Sequence, residues 1–126
     1  MSKSPAVSPL RATHAVLLLC LLAIFGVAQA ATVKPTKLVA EVGPGFTITL
    51  KKAKKRVVTL KRGKYVITVR DRATDHNFRL FGPGVNRSTQ VKSVETKTWT
   101  VTLKPGTYTY QCDPHTSMRA SFQVTP

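Results

Sequence analysis

Short runs of apolar residues spaced two apart, cut every few positions by Gly, Pro or clustered charge, restrict this chain to extended structure. Phe46-Thr47-Ile48-Thr49-Leu50 alternates strictly, the spacing that puts its apolar side chains on one face of a strand. The same reading gives strands over 37–42, 46–50, 56–60, 65–69, 76–81, 98–103, 107–112 and 120–124, about eight in all, and no convincing helix. Strands of this length and spacing predict an all-β fold, a Greek-key β-sandwich. Hydrophobic residues make up 42% of the 126, enough to bury a core, and the length allows one domain and excludes a multidomain enzyme.

The amino terminus stands outside that pattern. Lys3 and Arg11 precede an unbroken apolar run over 15–27, and Ala28-Gln29-Ala30 follows it. The run is too short for a spanning helix, which needs about 20 residues, and the small residues at 28 and 30 suit signal peptidase. We therefore expect residues 1–30 to be a signal peptide cleaved after Ala30, with residues 31–126 the exported domain. Cys20 lies in the apolar run behind Leu19, which is too bulky for a lipoprotein site, so it is expected to be discarded.

One echo supports the sandwich: Val58-Thr59-Leu60-Lys61-Arg62-Gly63-Lys64-Tyr65 resembles Val101-Thr102-Leu103-Lys104-Pro105-Gly106-Thr107-Tyr108. Each reads as a strand, a tight Gly turn and a tyrosine that plugs a corner of the sandwich. Trp99 is expected in the core.

Beyond residue 30 the only cysteine is Cys112. An unpaired thiol in an exported protein is bridged between chains, reactive, or held by a metal. Cys112, His115 and Met118 stand three residues apart, with Pro114 stiffening the segment between them. Thiol, imidazole and thioether are soft or borderline metal ligands, and a loop leaving one strand and entering the next can curl all three around one ion. The remaining histidine of this region, His76, can supply a fourth from a neighbouring strand. Two His, one Cys and a weak axial Met form the blue-copper electron-transfer set, whereas zinc rarely recruits Met. Taken singly, each residue reads more readily as core or surface; together they point to copper.

His76-Asn77-Phe78 and Tyr108-Thr109-Tyr110-Gln111-Cys112-Asp113-Pro114-His115-Thr116-Ser117-Met118-Arg119 resemble the cupredoxins, the plastocyanin, amicyanin and pseudoazurin family of small exported blue-copper proteins. The Cys-to-Met spacing is similar to amicyanin's short loop. The resemblance implies an eight-stranded sandwich with one type 1 copper at one end, bound by His76, Cys112, His115 and Met118. It further implies that Asn77 pins the two ligand loops together and that a backbone N–H near it tunes the Cys112 sulfur. Two positions depart from the family pattern: Asp113 follows the Cys where Ser or Thr is common, and Arg79 stands where some relatives carry a second His. Electrons would pass through His115, inside an apolar patch to which Pro83, Val85, Pro114 and Met118 are candidates.

The chain carries 20 Lys and Arg against 5 Asp and Glu, a net charge of +15. The cations cluster at Lys51, Lys52, Lys54, Lys55 and Arg56 and again at Lys61, Arg62 and Lys64. They are either a solvated turn or a docking surface for an acidic redox partner, an anionic cell envelope or membrane lipids. Nucleic acid is not expected, since the protein is exported and interleaved aromatics are missing. The carboxylates show no paired acid-base spacing, so no enzyme is expected. A monomeric one-electron carrier is the leading function; a copper delivery or buffering module and a basic envelope-binding protein are the alternatives.

Overall fold

A computed structural model describes residues 1–7 and 32–126. The chain divides at Ala31 into two units, and the second, Thr32–Pro126, holds every strand described. The expected cleavage site and the apolar run before it lie outside the described residues.

Ten strands follow in order: β1 Thr36–Val42, β2 Ile48–Lys52, β3 Lys55–Arg56, β4 Thr59–Lys61, β5 Gly63–Asp71, β6 Arg79–Gly82, β7 Val85–Ser88, β8 Glu95–Leu103, β9 Gly106–Gln111 and β10 Arg119–Thr125. They form two five-stranded sheets, ordered β3-β2-β1-β5-β8 and β4-β10-β9-β6-β7. The β1/β5 and β10/β4 pairs are parallel and the others antiparallel. The expected all-β sandwich is thus what the chain builds.

Alternation explains which faces meet. Leu38, Ala40 and Val42 of β1, Tyr65, Ile67 and Val69 of β5, and Trp99, Val101 and Leu103 of β8 point inward from the first sheet. Tyr108 and Tyr110 of β9 and Phe122 and Val124 of β10 answer from the second. Their rings stack, Phe78 on Tyr110 at 5.6 Å and Tyr108 on Phe122 at 5.5 Å, and Trp99 is buried against Phe78 as expected.

Three differences from the expectation have a local reason in the sheets. The 56–60 run is two strands in different sheets, because Val57 and Leu60 are both buried while Val58 is exposed, a pattern no single strand can present. The Val57 N–H donates to Leu50 O in one sheet, and Val58 O accepts from the Gln123 N–H in the other, so the chain crosses within two residues. The strand expected over 76–81 begins only at Arg79, since the Phe78 N–H donates to the Thr89 hydroxyl instead of a ladder partner. Strand β7 has no apolar alternation to announce it and is a polar edge, the usual protection of an open sheet margin.

Both corner tyrosines reach back four residues. The Tyr65 hydroxyl donates to Lys61 O at 2.7 Å, whereas the Tyr108 hydroxyl accepts from the Lys104 N–H at 3.0 Å and donates to Pro83 O at 2.7 Å. Tyr108 lies so close to β6 that a Cβ at Gly82 would sit 2.3 Å from its ring, which leaves glycine as the residue for that position.

Candidate metal centre

The inward alternation of β9 runs through Tyr108 and Tyr110 to Cys112, one residue past the strand, so the thiol emerges from the core at one end of the sandwich. Two successive turns follow: the His115 N–H donates to Cys112 O at 3.2 Å and the Met118 N–H to His115 O at 2.9 Å. The Cys112 N–H then closes the loop on Met118 O at 2.9 Å. The three-residue spacing of the motif is therefore the repeat of a turn, which returns the side chains to the same side of the chain. Met118 is buried among the core residues and His115 is half-buried.

His76 comes from the β5–β6 connection and is 1% exposed. Its Nδ1 lies 2.9 Å from His115 Nδ1 and 3.7 Å from Cys112 Sγ, and Cys112 Sγ lies 3.5 Å from His115 Nδ1. Among the described residues this is the one group of three metal-ligating His, Cys or acidic side chains, its ligand atoms all within 4.8 Å of one another. Imidazole nitrogens and a thiolate bind a metal at about 2.0 to 2.3 Å, which spaces such donors roughly 3 to 4 Å apart. The triangle of donors fits a single ion, and a soft thiolate with two imidazoles is a donor set that suits copper.

Asn77 ties the two ligand loops. It accepts the Asp113 N–H at 2.7 Å, and its Nδ2 donates to Asp113 Oδ2 and Ser88 Oγ, both at 2.9 Å. The backbone N–H groups of Phe78 and Asp113 are thus committed, to Thr89 and Asn77, and neither serves the Cys112 sulfur. Asp113 also accepts from Gln111 Nε2 at 2.9 Å and lies 3.6 Å from Arg79 Nη1. Burial pushes the Asp113 carboxyl up, but the hydrogen bonds from Gln111 and Asn77 and the charge of Arg79 outweigh it and hold the pKa below its ordinary value. Pro114 is exposed between Asp113 and His115.

Asp71 continues the inward face of β5 and is 2% exposed. Burial raises its pKa, against the Thr89 hydroxyl and Ala73 N–H that donate to it. The Thr89 hydroxyl that donates to Asp71 accepts from the Phe78 N–H, so this carboxyl braces the segment carrying His76 and Asn77.

The loop between β1 and β2 closes the end. A Cβ on Gly43, whose φ is +70°, would lie 2.9 Å from Ala73 Cβ and 3.1 Å from His76 Cδ2. Phe46 was expected on a half-buried strand; it lies instead on this loop, 71% exposed, with its ring edge-on to His76 at 5.5 Å and to His115 at 4.9 Å.

Pro83 and Val85 are not beside His115. β6 meets β9 with Arg79 opposite Gln111 and Phe81 opposite Thr109, so the strand runs away from Cys112 and turns into β7 at the far end, where Pro83 packs against Gly106 and Tyr108. Five residues of extended chain put that turn about 16 Å from Phe78. Phe46 occupies the place near His115 that these two residues were expected to fill. The basic residues divide as well: Lys52, Lys54, Lys55, Lys61, Arg62 and Lys64 lie away from the histidines, Lys51 pairs with Val39 in mid-strand, and Arg56 lines a groove with Phe46 and Met118.

Residues 50–125, more than half of the chain, match the family described as copper binding proteins, plastocyanin/azurin family. Among solved structures the domain is similar to the copper protein rusticyanin, with a TM-score of 0.55 and 19% identity over 75% of this chain and 80% of that one. A reduced auracyanin from the photosynthetic bacterium Roseiflexus castenholzii gives 0.52 and 18% over 75% of this chain and 100% of that one. Rusticyanin from Thiobacillus ferrooxidans gives 0.51 and 22% over 75% and 79%. No curated protein sequence matches. With its two-sheet sandwich, its cluster of His76, Cys112 and His115 and this match, the chain belongs to the plastocyanin/azurin family of copper-binding cupredoxins.

Proposed function

We propose that the protein is an exported one-electron carrier. The observation that carries this reading is the donor triangle of His76, Cys112 and His115, with edges of 2.9, 3.5 and 3.7 Å, already assembled by hydrogen bonds within a closed sandwich. A copper held by His76, Cys112 and His115 would supply the Cu(II)/Cu(I) couple, and Met118, buried at the end of the same loop, is the candidate for a further, weaker ligand. A site whose loops are tied by Asn77 and whose buried ligands cannot reorganise freely suits electron transfer, because little atomic movement accompanies the change of charge.

His76 is sealed inside, while half-buried His115 reaches the surface beside exposed Phe46 and Pro114. Electrons enter and leave here, through a small apolar area suited to transient docking of a redox protein. Export follows from the basic and apolar segments at 3–27 of the sequence. No substrate is turned over.

Titration of the purified protein with Cu(II), followed by visible absorption and electron paramagnetic resonance, tests this function. An intense blue band with narrow copper hyperfine splitting, bleached reversibly by ascorbate and abolished by Cys112→Ala, is the expected result. A bound copper that shows no such band, or that passes to a chelator as soon as it is reduced, would replace the carrier with a delivery or buffering module.

A further inference from the structure

All five acidic side chains of the protein lie toward the metal end. Glu41 is next to the last residue of β1, Asp71 ends β5 opposite Glu95 at the start of β8, Asp75 precedes His76, and Asp113 follows Cys112. Every ion pair among the described residues forms there. Glu41 faces Arg70 and Arg72 at 3.5 and 4.0 Å, Glu95 faces Lys97 at 3.1 Å, and Asp113 faces Arg79 at 3.6 Å.

The opposite pole has cations alone. Lys52 and Lys55 flank the β2–β3 turn, Lys61, Arg62 and Lys64 surround the β4–β5 junction, and all are exposed, whereas Lys54 at the tip of that turn shares a groove with Glu41 and Arg70. Lys34, Lys52, Lys61, Arg62 and Lys64 line one groove of about 570 Å³ without an acidic neighbour. The six residue steps of β1 from Thr36 to Val42 separate this groove from the metal end by about 20 Å. The asymmetry makes the domain an electric dipole along its strands, positive at the groove.

We infer that this basic pole docks on the anionic headgroups of a lipid bilayer, turning the metal end outward. An acidic redox partner drawn to the same groove would be held away from His115, so the charge is misplaced for electron exchange and well placed for attachment. The lead-in to β1 selects a bilayer as the anionic surface. Val33 and Lys34 form part of the groove and Val33 is 89% exposed, so the chain enters the domain at this pole. In sequence this lead-in follows directly on the expected signal peptide, so cleavage after Ala30 during export leaves this pole of the domain beside the lipid. Clustered Lys and Arg beside a bilayer are attracted within about one Debye length, roughly 8 Å at physiological salt, so the attachment is reversible and weakened by salt.

The test is co-sedimentation of the exported protein with phosphatidylcholine vesicles, with and without phosphatidylglycerol, at low and high salt. Binding is expected only with phosphatidylglycerol, with release at high salt. The exposed-surface triple variant Lys52→Glu, Lys61→Glu, Arg62→Glu should bind at least tenfold more weakly, while Arg87→Glu on the polar edge β7 should bind like the parent. Lys52→Gln with Lys61→Gln gives a milder reduction should the reversal disturb folding, which circular dichroism reports. Amide hydrogen exchange on the vesicles should slow at 52–64 and not at 112–118. Equal binding to both vesicle types, no loss in either variant, or protection centred on 112–118 would overturn the inference.

Discussion

Arg79 Nη1 lies 3.6 Å from Asp113 Oδ1, so the two positions at which this chain departs from the cupredoxin pattern are partners. Arg79 opens β6 opposite Gln111, and Gln111 Nε2 donates to the same Asp113 oxygen. The arginine also accounts for its own remaining length, with Nε donating to Asn86 Oδ1 at 3.1 Å and its guanidinium 5.4 Å from the Phe81 ring centroid. The charge introduced beside the thiol ligand is thereby neutralised across the sheet.

A pH dependence follows from that pair. Asp113 has a pKa below its ordinary value in the fold, so it contributes stability that is present above the ordinary carboxylate range and is lost as pH falls through the depressed pKa. Asp113→Asn should therefore be less stable than the parent near neutral pH, and the gap should close as pH drops below about 4. Urea midpoints across that range check this; a gap that stays constant would mean that hydrogen bonding alone, and not the charge, holds the loop.

Asn77 makes two hydrogen bonds to Asp113 that join the two ligand loops and a third to Ser88 on β7, and is 3% exposed. Asn77→Ala removes all three and leaves the part-buried Asp113 N–H without its acceptor, a loss of about 1 to 3 kcal/mol. The same change frees the Cys112 and His76 loops to drift apart, so copper affinity should fall roughly 10- to 100-fold. Thermal melts and competition with a chelator read the two effects separately. A destabilised variant with unchanged copper affinity would confine Asn77 to the fold.

Cys112 and His115, two of the three clustered donors, were legible because they stand three residues apart at the head of one loop, where spacing in sequence becomes spacing in space through a turn. His76 could be chosen because the domain has one other histidine; its approach to within 3.7 Å of Cys112 depends on the pairing of β6 with β9, which periodicity does not encode. Pro83 and Val85 were misplaced for the same reason, since turn residues carry no record of which end of a sheet they occupy. Phe46 fits the alternation of 46–50, but the Gly43 N–H donates to Thr47 O and the Thr47 N–H to Gly45 O, and this loop bonding extends past Phe46 before β2 can begin. Asp71 is readable in principle, two residues beyond Val69 on an inward face, but a carboxylate is unusual in such a place and alternation alone does not announce it.

Phe46 is exposed yet packs its ring against both imidazoles. Phe46→Ala should change folding stability by under about 1 kcal/mol, because little area is withdrawn from water. It should nevertheless uncover the His115 edge, so a chelator should extract copper several-fold faster from the variant. Unchanged extraction would show that the ring serves only as a contact surface.

Gly82 is fixed by Tyr108. Gly82→Ala places a methyl 2.3 Å from a ring that is fully buried and whose hydroxyl bridges the Lys104 N–H and Pro83 O. Neither ring nor strand can yield cheaply, and a loss of about 2 to 3 kcal/mol is expected. Tyr108→Phe keeps the ring and removes only the bridge, at about 1 to 2 kcal/mol. Denaturant unfolding of both variants ranks them, and a smaller loss in Gly82→Ala than in Tyr108→Phe would mean that the corner repacks.

The β2–β3 hairpin turns through two L-residues in the left-handed region, Ala53 at φ +46° and Lys54 at φ +68°. A two-residue turn of this hand matches the twist of its strands but favours Asn and Gly, and an ordinary side chain there costs about 1 to 2 kcal/mol. Ala53→Asn with Lys54→Gly should therefore raise stability by about 1 kcal/mol, seen as a higher urea midpoint with an unchanged slope. The substitution also removes one positive charge from a crowded pole, which by itself relieves repulsion. Lys54→Gln separates the two effects, since it loses the charge and keeps the Cβ. If Lys54→Gln alone reproduces the gain, the stabilisation is electrostatic and the turn carries no strain.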